Sequence, residues 1–156
     1  MPACLLHYSC CPNAMVNLPP RTPAAASGEF PIGRGEVRRR VLVLDDEPLI
    51  RWAAAVTLAD AGFEVVEASS VSTARRVIDS IRVDLALLDV RLADGDGVEL
   101  MKEIHQRQPS CRFVMMTALR TPEVAAQVAS DVAVLDKPFE MPELLHVVGD
   151  MLAQHS

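Results

Sequence analysis

Residues 41–50 read VLVLDDEPLI: four consecutive apolar residues, then three acids, a proline and the start of a helical pattern. A short unbroken aliphatic run predicts a strand covered on both faces, as in a parallel sheet. Ile50, Ala53, Ala54, Thr57, Leu58 and Ala61 keep helical spacing, and Gly62 ends the helix. The same alternation then repeats along the chain. Residues 63–67, FEVVE, predict an edge strand, and Val71, Ala74, Ile78 and Ile81 a second helix. Residues 83–88 predict a third strand, apart from Asp84, and Val98, Met101 and Ile104 mark a third helix. Residues 113–116 form the fourth apolar run. Thr121 as N-cap, with Pro122 and Glu123 in the first turn, predicts a short helix after it. Residues 132–135 give the fifth strand. Met141, Leu144, Leu145, Val148, Met151 and Leu152 lie on one face of a last helix. Five strands alternating with five helices over about 115 residues predict an α/β fold, a parallel sheet with helices on both faces.

Outside this pattern the composition changes. Six of the 11 prolines fall within the first 31 residues, among Ala, Ser, Gly and Arg without hydrophobic period. Such a stretch buries too little apolar surface to offset its ordering entropy, so residues 1–37 are expected to be a disordered Pro/Ala-rich extension. Cys4, His7, Cys10 and Cys11 supply four zinc-type ligand atoms, but without paired CxxC units the bland reading of a tail is preferred. A start at Met15 would remove them all. With Cys111 as the fourth cysteine, no disulfide framework is expected in the body. Residues 1–40 hold five arginines and two glutamates, a net of +3, whereas residues 41–156 hold 10 basic and 19 acidic residues, a net of −9. An acidic body argues against direct nucleic-acid binding, and Arg38, Arg39 and Arg40 read as a solvated flank. No apolar run reaches the ~20 residues of a membrane span, and residues 1–15 lack the basic start and sustained apolar stretch of a secretory signal, so a cytoplasmic protein without membrane contact is expected.

Chemistry in a parallel α/β sheet sits at the carboxyl ends of the strands. The first run ends in Asp45-Asp46-Glu47, the third in Asp89, the fourth in Thr117-Ala118 and the fifth in Asp136-Lys137-Pro138. Any one of these is an ordinary surface turn; jointly they place carboxylates, a hydroxyl and an ammonium on one rim. Three clustered carboxylates repel and raise one another's pKa unless a cation sits among them. The ligands are hard oxygens, which favours Mg2+ over zinc. Magnesium retains waters and accepts phosphate oxygens, so a phosphorylated ligand or intermediate is expected. Asp89 is the best nucleophile, because a carboxylate accepts a phosphoryl group as a mixed anhydride. Lys137 and Thr117 are placed to meet the phosphoryl oxygens.

With DDEP at 45–48, LLDVRLADGDG at 87–97, MMTA at 115–118 and DKPF at 136–139, in that order, the chain from Val41 to about Leu152 resembles the receiver domain of bacterial two-component response regulators. The resemblance implies a doubly wound, flavodoxin-like sheet of order 2-1-3-4-5, with residues 38–156 as the receiver domain. It also implies phosphorylation of Asp89 by a sensor histidine kinase or a histidine phosphotransfer protein. Asp46, Asp89 and the Arg91 backbone carbonyl would hold Mg2+ directly, and Asp45 through a water. Gly97 matches the family's turn glycine, and Lys137-Pro138 its usual cis peptide.

Three positions depart from the family pattern. Val134 stands where an aromatic switch residue is usual, the segment between Thr117 and Lys137 is short, and Ala93 replaces a common proline. The expected role is that of a stand-alone receiver which signals to a downstream protein target by contact, or acts as a phosphate shuttle or sink. It would catalyse its own phosphotransfer and autodephosphorylation rather than turn over a small substrate. The alternative is a pseudo-receiver, a binding module not regulated by phosphorylation, which Val134 favours slightly. An aspartyl-nucleophile phosphatase is disfavoured, because its Asp-x-Asp after the first strand is replaced here by Asp45-Asp46. Trp52 either packs on the core or helps a partner dock.

Overall fold

The structure is a computed structural model and describes residues 38–118 and 132–153. Its elements are β1 (Arg40–Leu44), α1 (Pro48–Asp60), β2 (Glu64–Ala68), α2 (Val71–Ser80), β3 (Leu85–Asp89), β4 (Arg91–Leu92), β5 (Gly95–Asp96), α3 (Gly97–Arg107), β6 (Arg112–Thr117), β7 (Ala133–Asp136) and α4 (Met141–Ala153). Five strands form one parallel sheet in the order β2-β1-β3-β6-β7. Counting those strands alone, this is the expected 2-1-3-4-5 arrangement. Of the five helices expected, four lie among the described residues; the one read at Thr121, Pro122 and Glu123 lies outside them, as do residues 1–37.

Strand side chains alternate between two cores. Val41, Val43, Leu85, Leu87, Val114, Met116 and Leu135 pack with Ala54 and Leu58 of α1 and Leu144 and Val148 of α4. Leu42, Leu44, Ala86, Leu88, Phe113 and Met115 face the other way, onto Val71, Ala74 and Ile78 of α2 and Leu100 and Ile104 of α3. Each fully buried Leu, Ile or Val contributes about 1.5–3 kcal/mol. A sheet covered on both faces explains why its strands read as continuous apolar runs.

Local chemistry sets the helix ends. Pro48 opens α1, where its missing N–H costs nothing, and Gly62 takes φ 98° just beyond it. Ser70 Oγ accepts the Thr73 N–H at 3.1 Å at the start of α2, and Asp96 Oδ1 accepts the Val98 N–H at 2.7 Å at the start of α3. The second, fourth and fifth strands of the sheet differ by a residue at one or both ends from the expected 63–67, 113–116 and 132–135, and three larger differences stand out. The third strand begins at Leu85 and takes in Asp89, because Asp84 turns its carboxylate to the Arg40 N–H at 2.7 Å. On α1 the buried positions are Ala54, Ala55 and Leu58, so the buried stripe is narrower than the spacing suggested. Periodicity also gave no sign of the two-residue antiparallel ribbon β4–β5 in the loop after Asp89.

Candidate functional site

The register brings the strand ends level: Leu44 lies opposite Leu88, Leu88 opposite Met115, and Thr117 opposite Asp136. Asp45 leaves β1 fully buried, held by its N–H on the Ala68 carbonyl at 3.3 Å. Asp89 closes β3 and is 8% exposed; Thr117 closes β6 and is also buried. Lys137 follows β7, and its N–H donates to the Thr117 carbonyl at 2.7 Å. The peptide between Lys137 and Pro138 is cis. From there the Lys137 ammonium donates to Asp45 Oδ2 at 2.7 Å and to Asp89 Oδ2 at 2.9 Å. The remaining oxygens are also used: Asp45 Oδ1 accepts the Glu47 N–H at 2.8 Å, and Asp89 Oδ1 the Arg91 N–H at 3.1 Å. Asp46 is exposed, yet one carboxylate oxygen from each of Asp45, Asp46 and Asp89 lies within 4.8 Å of the others. Beside them opens a cavity of about 210 Å³ lined by Asp46, Asp89, Arg91, Thr117 and Lys137, with Glu47, Val90 and Ala118.

The charges are incompletely compensated. Three carboxylates and one ammonium leave a net of −2, the charge that one divalent cation cancels. Burial pushes the Asp89 carboxyl above its usual range, and the hydrogen bonds from Lys137 and the Arg91 N–H only partly oppose this. Burial works against the Lys137 ammonium too, but its hydrogen bonds to Asp45 and Asp89 outweigh it and hold the pKa above the ordinary lysine value. An all-oxygen donor set next to open volume fits a hard cation that keeps part of its water shell, which is magnesium chemistry.

All the residues singled out in the sequence therefore meet on this rim: Asp45, Asp46, Asp89, Thr117, Lys137 and the Arg91 backbone. Sequence reasoning missed Arg51, one turn into α1, whose Nη1 donates to the Asp45 carbonyl at 2.7 Å while Nε meets Glu67 at 3.4 Å. No motif spacing signals it, because the contact depends on how α1 leaves the sheet. Asp94 was also missed. Its carboxylate accepts the Val71 and Ser72 N–H groups at 2.9 and 3.1 Å, tying the β4–β5 ribbon to the start of α2. Those backbone donors lower its pKa. Gly97 proves to be required for space: a Cβ there would lie 2.0 Å from the Asp89 carbonyl oxygen.

Other positions resolve as follows. Trp52 is 62% exposed on α1, beside Leu49 at 80% and Val56 at 40%, so it does not pack into the core. Cys111 is buried and free, and burial pushes its thiol up to about 12, which makes it inert. Val134 is half-buried in β7 opposite Met115. Cys4, His7, Cys10 and Cys11 lie outside the described residues, as does most of the segment between Thr117 and Lys137. No helix among the described residues is long and apolar enough to cross a membrane.

The family model described as the response regulator receiver domain matches residues 41–149. The response regulator protein PilR of Pseudomonas aeruginosa is 34% identical over 117 residues, covering 74% of this chain and 26% of PilR. The chain thus spans about a quarter of the length of the curated relatives it matches first. Among solved structures, a CheY-like response regulator receiver domain protein from Methanospirillum hungatei superposes with a TM-score of 0.71 at 26% identity, over 76% of this chain and 96% of that one. The response regulator TrrA of Thermotoga maritima, in complex with Mg(2+)-BeF, superposes with a TM-score of 0.64 at 27% identity, over 73% of this chain and 99% of that one.

Proposed function

Because the chain belongs to the response regulator receiver domain family, we propose that it is a phosphoacceptor whose Asp89 takes a phosphoryl group from a histidine on a sensor kinase or phosphotransfer protein. The observation that carries this reading is the Lys137 ammonium clamped between Asp45 and Asp89, at 2.7 and 2.9 Å, on the wall of the cavity into which the phosphoryl group would enter. One Asp89 carboxylate oxygen attacks phosphorus. The P–O bond forms as the P–N bond of the donor breaks, and the imidazole leaves with the bond electrons and takes up a proton. Lys137 then shifts part of its charge from Asp89 to a phosphoryl oxygen, while the Thr117 hydroxyl serves a second one. Asp45 keeps Lys137 oriented throughout, and the Arg91 N–H keeps the Asp89 carboxylate aimed. Asp46, Asp89 and the Arg91 carbonyl would hold Mg2+, with Asp45 acting through a water; when bound, the ion supplies the positive charge the carboxylates lack.

That the similar TrrA was solved in complex with Mg(2+)-BeF supports the magnesium part of this reading by similarity. The donor surface is the stripe of Leu49, Trp52 and Val56, spaced along one side of α1 directly after Asp46 and Glu47. The same proposal carries a cytoplasmic location and action by protein contact, or as a phosphate shuttle or sink, rather than turnover of a small substrate. Incubation with a radiolabelled small phosphodonor and Mg2+ tests the assignment. Label on the wild type, lost in Asp89→Asn, is the expected result. Equal label on the variant, or no label on the wild type, would overturn it in favour of another acceptor or of a pseudo-receiver.

A further inference from the structure

The opposite pole of the sheet carries the reverse charge. Arg38, Arg39 and Arg40 lead into β1, Arg82 precedes β3, and Arg112 opens β6. These positions are scattered in sequence, but the order β2-β1-β3-β6-β7 makes the three strands neighbours and gathers their arginines at one end. There a second cavity of about 310 Å³ opens, lined by Arg39, Arg82, Ser110 and Arg112, with Asp84 and with Met151 and Leu152 of α4.

The electrostatics of this pocket differ from those of the other arginine contacts. Arg40, Arg51, Arg75 and Arg107 each meet a carboxylate: Glu64, Glu67, Glu103, and both Asp79 and Glu103. Among the described residues, Arg82 and Arg112 form no ion pair; Arg82 donates to the neutral Ser110 Oγ at 2.7 Å. Asp84, the one acid in the lining, already serves the Arg40 N–H at 2.7 Å and lies 3.9 Å from Arg39. Three guanidiniums against one engaged carboxylate leave +2 in a concave site, on a chain whose net charge is −6. Guanidinium forks match the oxygen geometry of phosphate, and a hydroxyl beside them adds a further donor. The aliphatic faces of Met151 and Leu152 offer contact to an apolar group attached to it.

We propose that the pocket of Arg39, Arg82, Ser110 and Arg112 binds a small phosphate-bearing anion at the pole opposite the phosphorylation site. Pyrophosphate is the probe, titrated into the full chain in EDTA so that the acidic rim repels it. Amide shifts in the wild type are expected at Arg39, Arg82, Ser110, Arg112 and Leu152, with affinity falling as salt rises. The double variant Arg82→Gln/Arg112→Gln is expected to weaken binding at least about tenfold, since it removes two of the three guanidiniums that line the pocket. Its labelling on Asp89 by the small phosphodonor should be unchanged. Shifts centred on Asp45 and Asp89, no shifts at all, or equal affinity in the double variant would each overturn the proposal. So would tighter binding of a short single-stranded oligonucleotide at the same residues, which would make the pole a nucleic-acid contact instead. None of these outcomes depends on whether Asp89 is phosphorylated.

Discussion

Replacing Gly97 by alanine tests how the phosphoacceptor is held. Gly97 opens α3, and its N–H donates to the Val90 carbonyl at 2.9 Å, so the ribbon after Asp89 closes back on the end of β3. An alanine Cβ would sit 2.0 Å from the Asp89 carbonyl oxygen, 2.9 Å from its carbonyl carbon and 3.2 Å from Val90 Cα. All three are backbone atoms and cannot rotate away. Reaching the 3.4 Å of ordinary contact requires an opening of about 1.4 Å. On the other side, β3 is pinned to β6 through Asp89 opposite Met116 and the Val90 N–H on the Met116 carbonyl. Overpacking of this kind costs about 1–3 kcal/mol. For a domain of this size that corresponds to a fall of about 4–12 °C in the unfolding midpoint. A misplacement of about 1 Å at the reacting carboxylate is worth about a hundredfold in rate. Thermal unfolding by circular dichroism and labelling by a small phosphodonor measure both effects. Gly149→Ala is the control: nothing lies within 4 Å of its Cβ, and α4 gains helix propensity of about 1 kcal/mol, so neither quantity should fall. A Gly97→Ala protein with the midpoint and labelling rate of the wild type would show that Gly97 does not set the Asp89 geometry.

Three further outcomes are expected. Asp46→Ala should weaken Mg2+ binding at least about tenfold while leaving the metal-free midpoint within about 2 °C, because Asp46 is exposed and its loss relieves repulsion; unchanged affinity by titration calorimetry would count against the assigned ligands. Trp52→Ala should slow phosphotransfer from a histidine-bearing protein donor at least about tenfold, yet leave labelling by a small phosphodonor unaltered, since Trp52 faces solvent and does not line the cavity beside the carboxylates; equal slowing with both donors would rule out a docking role. The raised Asp89 carboxyl means that the native state holds this proton more tightly than the unfolded chain does. Its contribution to stability therefore falls as pH rises from 3.8 through the raised value. Asp89→Asn should then raise the metal-free midpoint at neutral pH, and Mg2+ affinity of the wild type should decline on acidification while pH is still above 3.8. Melting curves in EDTA and Mg2+ titrations across pH would expose a shift of the opposite sign.

Much of the domain is legible in the sequence. A strand buried on both faces has to be apolar throughout, so VLVL at 41–44 announced a parallel sheet, and each run marked its own carboxyl end. The rim residues followed, because the first, third, fourth and fifth runs each stopped at a group with chemistry. The β4–β5 ribbon stayed hidden, since two paired residues carry no periodicity, and its anchor depends on Asp94 reaching an α2 N-terminus 23 positions away in the chain. Trp52 was undecided between core and surface because α1 is apolar on more than its buried stripe; Leu49 and Val56 share its exposed side.

Local rules thus settle which segments become strands and helices, since periodicity and end-capping act over a few neighbours. Distances between residues far apart in the chain belong to the packed sheet. Lys137 reaches Asp45 across 92 positions, and Asp89 across 48, because β1, β3, β6 and β7 lie in one register. The same strand order collects Arg39, Arg82 and Arg112 at the far end, where the sequence showed only a basic flank and two scattered arginines. Hydrophobic periodicity alone does not say which strands become neighbours; the motif resemblance implied the order, and the packed sheet, buried on both faces under helices, realises it and with it the two charged poles.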